Sequence, residues 1–418
     1  MSSQKTVTVT PPKSPINGKV LLPGSKSITN RVLLLAALAK GTSRLSGALK
    51  SDDTNYMSIA LRQMGVTIDE PDNTTFVVTG SGKLQMPTQP LFLGNAGTAM
   101  RFLTAASVLV EGIVVQNGDN NMHTRPISPL LAALSQNGIR VDSQTGYPPV
   151  IVHGVGKMHA KRFEIDGSLS SQYVSALLML AACGEAPAEI VLTGKDISAN
   201  GYIDLTLNCM RAFGAKIKTV NDTTWHVAPT GYTARNYLIE PDASAATYLW
   251  AAEVLTGGRI DIGIDAPDFT QPDAKAKAII TQFPNIQTIV VGSKIQDAIP
   301  TLAVLAAFNN TPVRFTELTN LRIKECDRVQ ALYNGLNKIC HGLASIDGDD
   351  LLIASDPTLA NISSNALIDT QTDHRIAMCF ALAGLKITGI RIQNPGCVAK
   401  TYPEYWKTLV SLGVVLCY

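Results

Sequence analysis

Seven cationic side chains in this chain sit in short polar motifs, and only two acids accompany them. Lys26, Arg31, Arg125, Lys324, Arg328, Arg375 and Lys400 are the cations, and Asp297 and Glu325 are the acids. Such a set binds a substrate carrying several negative charges, through phosphates and carboxylates, and leaves one or two bases for proton transfer. LPGSKSITNR at 22–31 joins a Pro-Gly turn to Ser25, Lys26, Ser27 and Arg31. The turn lets backbone N–H groups converge, the hydroxyls donate and the cations neutralise, as an anion site requires. LGNAGTAMR at 93–101 sets two glycines around Asn95, so that a ligand can approach bare backbone at Gly97. DGSLSSQY at 166–173 offers Ser168, Ser170, Ser171 and Gln172 without charge, suited to phosphate oxygens or hydroxyls but equally to a plain serine cap.

In IKECDR at 323–328 the spacing predicts a helix beginning here, with Lys324 and Arg328 four apart on one side and Glu325 between them. A carboxylate held among cations stays ionised and can take a proton while the cations bind an anion. MHTRPISPL supplies Arg125, held extended before Pro126. PGCVAKTYPEY supplies Lys400 in a loop between Pro395 and Pro403, and Asp297 opens DAIPTLAV, where an acid most often serves as an N-cap.

The elements that must position these groups recur. A polar helix start followed by an Ala/Leu-rich helix appears six times, near Ser27, Gly97, Ser170, Asp242, Asp297 and Asp373. Between the copies runs a short helix ending in Gly and feeding a strand: QMGVTI, QNGIRV, AFGAKI, HGLASI and SLGVVL. A period of about seventy residues marks repeated supersecondary units. Each unit reads as strand, helix, strand, helix, strand, strand, a mixed α/β architecture. Because the Ala/Leu helices are apolar almost all round, they must be buried, with strands outside. The step from Asp242 to Asp297 is shorter than the others, so the fourth unit is expected to have lost an element.

A helix N-terminus carries about half a positive charge and disfavours cations beside it. Lys26, Arg31, Arg101, His374 and Arg375 nevertheless crowd these starts. Local electrostatics therefore calls for an anion shared between dipole and side chain.

A chain of 418 residues suggests two domains, with the six units dividing three and three. The Pro-Gly turn at Pro23 and Gly24 and the stretch IEPDAS at 239–244 are the best cutting places. With 45% hydrophobic and 16% charged residues and a net charge of +2, the composition is that of a soluble globular protein, not a nucleic-acid-coating one. Apolar runs fall short of the roughly 18 residues of a membrane span, and the N-terminus lacks a signal-peptide stretch, so a cytoplasmic protein is expected. Seven cysteines without CxxC spacing read as reduced, buried thiols, and six histidines form no ligand pattern. No P-loop or GxGxxG appears, so neither metal nor nucleotide cofactor is expected.

Taken together, LPGSKSITNR, LGNAGTAMR, DGSLSSQ, IKECDR, DHRIAM and CVAKTYPEY resemble the EPSP synthase family, over essentially the whole chain and in the family's order. The resemblance implies a two-domain inside-out α/β barrel, each domain three βαβαββ repeats with buried helices, closing on its substrates. It implies a split first domain, 1–23 with 242–418, and a continuous second one, 24–241. It implies transfer of the enolpyruvyl group of phosphoenolpyruvate to the 5-hydroxyl of shikimate 3-phosphate, with release of phosphate through a tetrahedral intermediate, on the shikimate route to aromatic amino acids. By resemblance, Lys26, Ser27, Arg31, Ser170, Ser171, Gln172, Ser198, Asp297, Asn320 and Lys324 hold shikimate 3-phosphate. Lys26, Gly97, Arg125, Gln172, Arg328, Arg375 and Lys400 hold phosphoenolpyruvate. Asp297 is the base on the hydroxyl, with Glu325 and Lys26 as proton carriers, and the motifs do not choose which of those two protonates carbon. The implied partners are these two small molecules, without nucleic acid or membrane, in a monomer.

The chain departs from the family pattern in three places. Phe102 stands where the family usually has Pro, which bears on the phosphoenolpyruvate pocket and on tolerance of the inhibitor glyphosate. One extra residue lies between Ser198 and Tyr202, and the family's PDA reads QDA at Asp297. Two rival readings are the sister transferase acting on UDP-N-acetylglucosamine and a noncatalytic phosphometabolite-binding relative. The sister family normally has a reactive cysteine in the loop reading NNMHTRPIS, whereas the first cysteine here is Cys183. Against the noncatalytic relative stands the intact pair Asp297 and Glu325.

Overall fold

The computed structural model describes residues 6–159, 161–194 and 200–418. By its internal contacts the chain divides into two compact units, Gly24–Pro241 and Met1–Pro23 with Asp242–Tyr418.

In the continuous unit the Ala/Leu helices Lys26–Leu38, Gly97–Ala106 and Ser171–Ala181 form the interior. Every residue from Ile28 to Leu38 is buried, as is the whole of Gly97–Ala106. Three four-stranded sheets enclose them. In the second sheet, Leu91–Phe92 runs parallel to Glu111–Asn117, which pairs antiparallel with Val150–Val155, itself antiparallel to Val141–Asp142. The buried helix makes the parallel crossover, and an outer helix, here Ser128–Gln136, leads to the final hairpin. The third sheet repeats this with Arg162–Asp166, Ala188–Thr193, Thr224–Val227 and Ile217–Asn221. In the first sheet the opening strand comes from the far end of the unit, Tyr237–Leu238 lying parallel to Lys40–Ser46.

The split unit follows the same plan around helices Ala243–Thr256, Ile299–Ala306 and His374–Gly384. One of its sheets takes the N-terminal strand Thr6–Thr10 between Arg391–Gln393 and Val415–Cys417. The fourth repeat is the exception: among the described residues its sheet has two strands, Arg259–Asp261 parallel to Asn17–Lys19. Short helical turns at Ala266–Asp268, Pro272–Lys275 and Ala276–Ile280 follow it. The fold class is thus the expected α/β one, with helices inside and strands outside in each unit.

Two backbone features explain recurring glycines. Gly65, Gly138, Gly214, Gly342 and Gly413, one in each short helix-to-strand motif, all have φ between +77° and +89°. This is the left-handed conformation that ends a helix and that glycine adopts without steric cost. At the unit boundary, Ser25 N donates to Glu240 O at 2.9 Å and Asp242 N to Pro23 O at 2.9 Å. Gly24 has no room for a side chain, because a Cβ would lie 1.9 Å from the Gly47 carbonyl oxygen.

All seven cysteines are free thiols, but the expectation that they are buried holds fully only for Cys209 and Cys379. Cys183, Cys326, Cys340 and Cys397 are half-buried and Cys417 is exposed. Among the described residues no helix is long and apolar enough to cross a membrane.

Candidate functional site

In the continuous unit the candidate residues gather at the openings of the three buried helices. Ser25 caps the first, its Oγ accepting from Ile28 N at 3.3 Å. Lys26 follows as the first helical residue, and its Nζ lies 3.3 Å from the Asp53 carboxylate, which is 4% exposed. Asp53 is thus a missing counter-charge that spacing gave no way to find, since it belongs to the separate helix Asp52–Gln63.

Arg31 lies deeper than a surface ligand group, at 2% exposure. Its Nε donates to Thr206, Nη1 to the Ser27 carbonyl, and Nη2 to Ser175 and the Tyr202 carbonyl. Of its five N–H groups these bonds leave one, on Nη1. Burial lowers its pKa to about 10, so it remains a cation at neutral pH. Phe102 is fully buried with its ring centroid 5.3 Å from the Arg31 guanidinium carbon, a cation–π contact where the family pattern has Pro.

At the second helix the glycine has a steric reason. A Cβ on Gly97 would sit 2.5 Å from Arg125 Nη2, so the guanidinium rests against bare backbone. Arg125 is extended, as Pro126 requires, and its Nη1 donates to both the carbonyl and the side-chain oxygen of Asn95. Arg101 Nη2 and Tyr173 OH both donate to the Pro126 carbonyl, at 2.6 and 2.7 Å, and so fix this segment. At the third helix Ser170 is indeed the cap, accepting from Gln172 N. The Gln172 amide donates to Thr98 at 3.2 Å, tying the third helix opening to the second. Ser171 is buried and Ser27 half-buried, while Ser198 and the inserted residue after it fall outside or beside the described residues.

In the split unit the acids and cations form one network. The Asp297 carboxylate accepts from Arg328 Nη1 at 3.0 Å and Arg375 Nη2 at 2.9 Å, with Lys324 Nζ 4.0 Å away. It does not cap the following helix, Ile299–Ala306, whose N-cap position is Ala298 without a side-chain cap bond. The N-cap reading of Asp297 is thereby set aside. Arg328, 1% exposed, also donates to Glu325 at 2.6 Å and to Asp373 at 2.8 Å. Burial opposes its charge, but Asp373, Glu325 and Asp297 outweigh burial and raise its pKa above the ordinary arginine value. Lys400 is no surface lysine: it ends the turn Pro395–Lys400, 8% exposed, with Nζ 3.5 Å from Glu325.

Two sequence expectations need correction here. The helix of the IKECDR motif begins at Arg328, capped by Asp327, and Lys324 and Glu325 precede it in non-helical backbone. Lys324 and Arg328 are therefore brought to Asp297 by ion pairing and not by helical periodicity. The balance of charge also differs, because Asp373, absent from the candidate acids, is fully buried beside Arg328. It also caps the helix His374–Gly384 through Arg375 N at 2.8 Å. The anion demanded by cations at that helix start is thus a side chain of the chain itself.

Asn320 stands apart. It is 3% exposed, and among the described residues neither its amide nitrogen nor its oxygen has a hydrogen-bond partner. Leaving such a group unsatisfied costs about 1–3 kcal/mol, which a ligand can recover.

The family model describing EPSP synthase (3-phosphoshikimate 1-carboxyvinyltransferase) matches residues 10–409. A protein of Rhizobium leguminosarum bv. trifolii named 3-phosphoshikimate 1-carboxyvinyltransferase is 62% identical over 414 residues, 99% of either chain. A protein of the same name from Aliivibrio fischeri is 38% identical over 426 residues, covering 96% of this chain and 98% of that one. A solved EPSP synthase from Acinetobacter baumannii has the same fold, with a TM-score of 0.79 over 100% of both chains at 24% identity.

Proposed function

The chain belongs to the EPSP synthase family, and on that premise we propose that Asp297, Glu325 and Lys26 carry its proton transfers and that the surrounding cations hold its two anionic substrates. The reaction moves the enolpyruvyl group of phosphoenolpyruvate to the 5-hydroxyl of shikimate 3-phosphate and releases phosphate. In the addition, Asp297 takes the hydroxyl proton as that oxygen bonds to C2 of phosphoenolpyruvate, and Glu325 or Lys26 delivers a proton to the C3 methylene. In the elimination the C2–O bond to phosphate breaks, phosphate leaves, and a proton returns from the new methyl group to restore the double bond. The observation that carries the assignment is the Asp297 carboxylate held by two guanidiniums with no capping duty.

Lys26, Gly97, Arg125, Gln172, Arg328, Arg375 and Lys400 take phosphoenolpyruvate. Lys26, Ser27, Arg31, Ser170, Ser171, Gln172, Ser198, Asp297, Asn320 and Lys324 take shikimate 3-phosphate. Arg31 supports this reading because it is a buried cation whose hydrogen bonds among the described residues go to hydroxyls and carbonyls, with one N–H to spare. Within the chain Lys324, Arg328, Arg375 and Lys400 are matched against Asp297, Glu325 and Asp373. An arriving phosphate or carboxylate competes with these internal acids, and so releases Asp297 toward the hydroxyl. The protein works as a monomer in the cytoplasm.

Asn320→Leu separates substrate binding from folding. Replacing an unsatisfied amide by an apolar group is expected to leave the ligand-free urea midpoint unchanged or raised, while weakening shikimate 3-phosphate by about tenfold or more in calorimetry. A lowered midpoint with unchanged binding would make the amide structural. Phosphate release from phosphoenolpyruvate tests the function itself. Turnover is expected with shikimate 3-phosphate and not with UDP-N-acetylglucosamine; release with the second acceptor alone, or with neither, contradicts the reading.

A further inference from the structure

The segment 319–327 carries two residues assigned above to shikimate 3-phosphate, Asn320 and Lys324, and the proton carrier Glu325, yet it is mostly irregular. It comprises the 3₁₀ turn Thr319–Ile323, non-helical backbone at Lys324, and the cap Asp327. Backbone without a helical ladder needs another anchor if its side chains are to be held to catalytic tolerance. Arg322, which points away from those three in role, makes bonds that supply one.

Its Nε donates to Asp349 Oδ1 at 2.8 Å and its Nη2 to the Gly348 carbonyl at 2.7 Å. Both acceptors lie in the tight turn joining strands Ala344–Asp347 and Asp350–Ile353, where Asp347 pairs with Asp350. Its Nη1 donates to Asp327 Oδ2 at 2.9 Å. Thr319, at the beginning of the segment, donates to the other Asp349 oxygen at 2.7 Å. Asp327, at its end, uses its remaining oxygen to cap the next helix through Gln330 N at 3.0 Å. Both ends of the segment are therefore fastened to one hairpin tip, through one guanidinium and one carboxylate. A rigid guanidinium fork spread over three acceptors gives such a clamp direction as well as attraction.

We propose that Arg322, with Asp349, is a positioning residue that holds Asn320, Lys324 and Glu325 in register for shikimate 3-phosphate binding and proton transfer. The inference rests on the roles given to those three residues under the proposed function. Arg322 and Asp349 are partly exposed, at 25% and 44% of their side chains, so the clamp adds little to global stability. Its effect is on geometry, where a displacement of about 1 Å costs roughly 10²-fold in rate.

The test is steady-state kinetics of Arg322→Gln, Arg322→Lys, Asp349→Asn and the double variant Arg322→Gln/Asp349→Asn, beside wild type and Glu325→Gln. Arg322→Gln is expected to lower kcat about 10- to 100-fold and to raise the KM for shikimate 3-phosphate several-fold, leaving the KM for phosphoenolpyruvate and the urea midpoint nearly unchanged. Asp349→Asn should reproduce this, the double variant should be no worse than either single one, and Arg322→Lys should recover part of kcat. Wild-type kcat and KM in Arg322→Gln would overturn the clamp alone. So would a loss spread equally over both substrates with a lowered midpoint, which is the signature of a general structural role. Wild-type turnover in Glu325→Gln would overturn the clamp together with the role of Glu325 on which it rests.

Discussion

Asp297→Ala is expected to lower turnover by about 10² to 10⁴, the usual cost of removing a positioned base, while phosphoenolpyruvate still binds. The split follows from what the carboxylate touches. Its two oxygens accept from Arg328 and Arg375, the groups assigned to phosphoenolpyruvate, so their competitor disappears with the side chain. Phosphoenolpyruvate affinity should therefore be kept or improved even as the hydroxyl loses its base. Equal loss of rate and binding, measured by steady-state kinetics and calorimetry, would make Asp297 a structural member of the network. Because its loss takes a carboxylate from the buried Arg375 and Arg328 guanidiniums, the urea midpoint is also expected to fall.

The second large effect is expected for Arg328→Met, on stability as well as rate. Arg328 is the common partner of Asp373, Glu325 and Asp297, which are 0%, 6% and 17% exposed. Methionine replaces its aliphatic stem but leaves the two most buried carboxylates without the guanidinium they were folded around. Breaking a buried pair from one side costs about 3–5 kcal/mol, because the remaining charge is uncompensated. The midpoint of urea unfolding should fall accordingly, and phosphate release should become undetectable. If the stability loss comes from stranded acids, adding Glu325→Gln should restore part of the midpoint without restoring activity. A midpoint like that of the wild type would contradict the network described above.

Much of this was legible in the chain because the informative interactions are local. Ser170 and Asp242 cap the helices whose starts they mark, Ser25 caps the helix read as opening near Ser27, and the recurring Gly before each strand takes the left-handed conformation expected of a helix end. Gly97 and Arg125 fell in separate motifs of one resemblance, and the steric fit of guanidinium on glycine gives their pairing a cause. What stayed hidden depends on distant segments. Asp53 meets Lys26, and Asp373 meets Arg328 across 45 residues, so the balance of charge could not be counted from motifs alone. The strands that complete two sheets, Tyr237–Leu238 and Thr6–Thr10, come from the ends of their units. At IKECDR the four-residue spacing imitated a helix face, but Asp327 is the residue that satisfies a free N–H of the helix, and it moves the start to Arg328. Phe102 was visible as a departure, while its seat under the Arg31 guanidinium was not.

Hydrogen–deuterium exchange at the methylene of phosphoenolpyruvate, followed by proton NMR in D₂O, tests the addition–elimination chemistry of this site most directly. Protonation of C3 makes a methyl group, and elimination that takes a different hydrogen leaves deuterium behind. With wild-type protein, deuterium is expected in the methylene of recovered phosphoenolpyruvate and of the product only when shikimate 3-phosphate is present, and not with Asp297→Ala. Phosphate release without deuterium in the product methylene would contradict it.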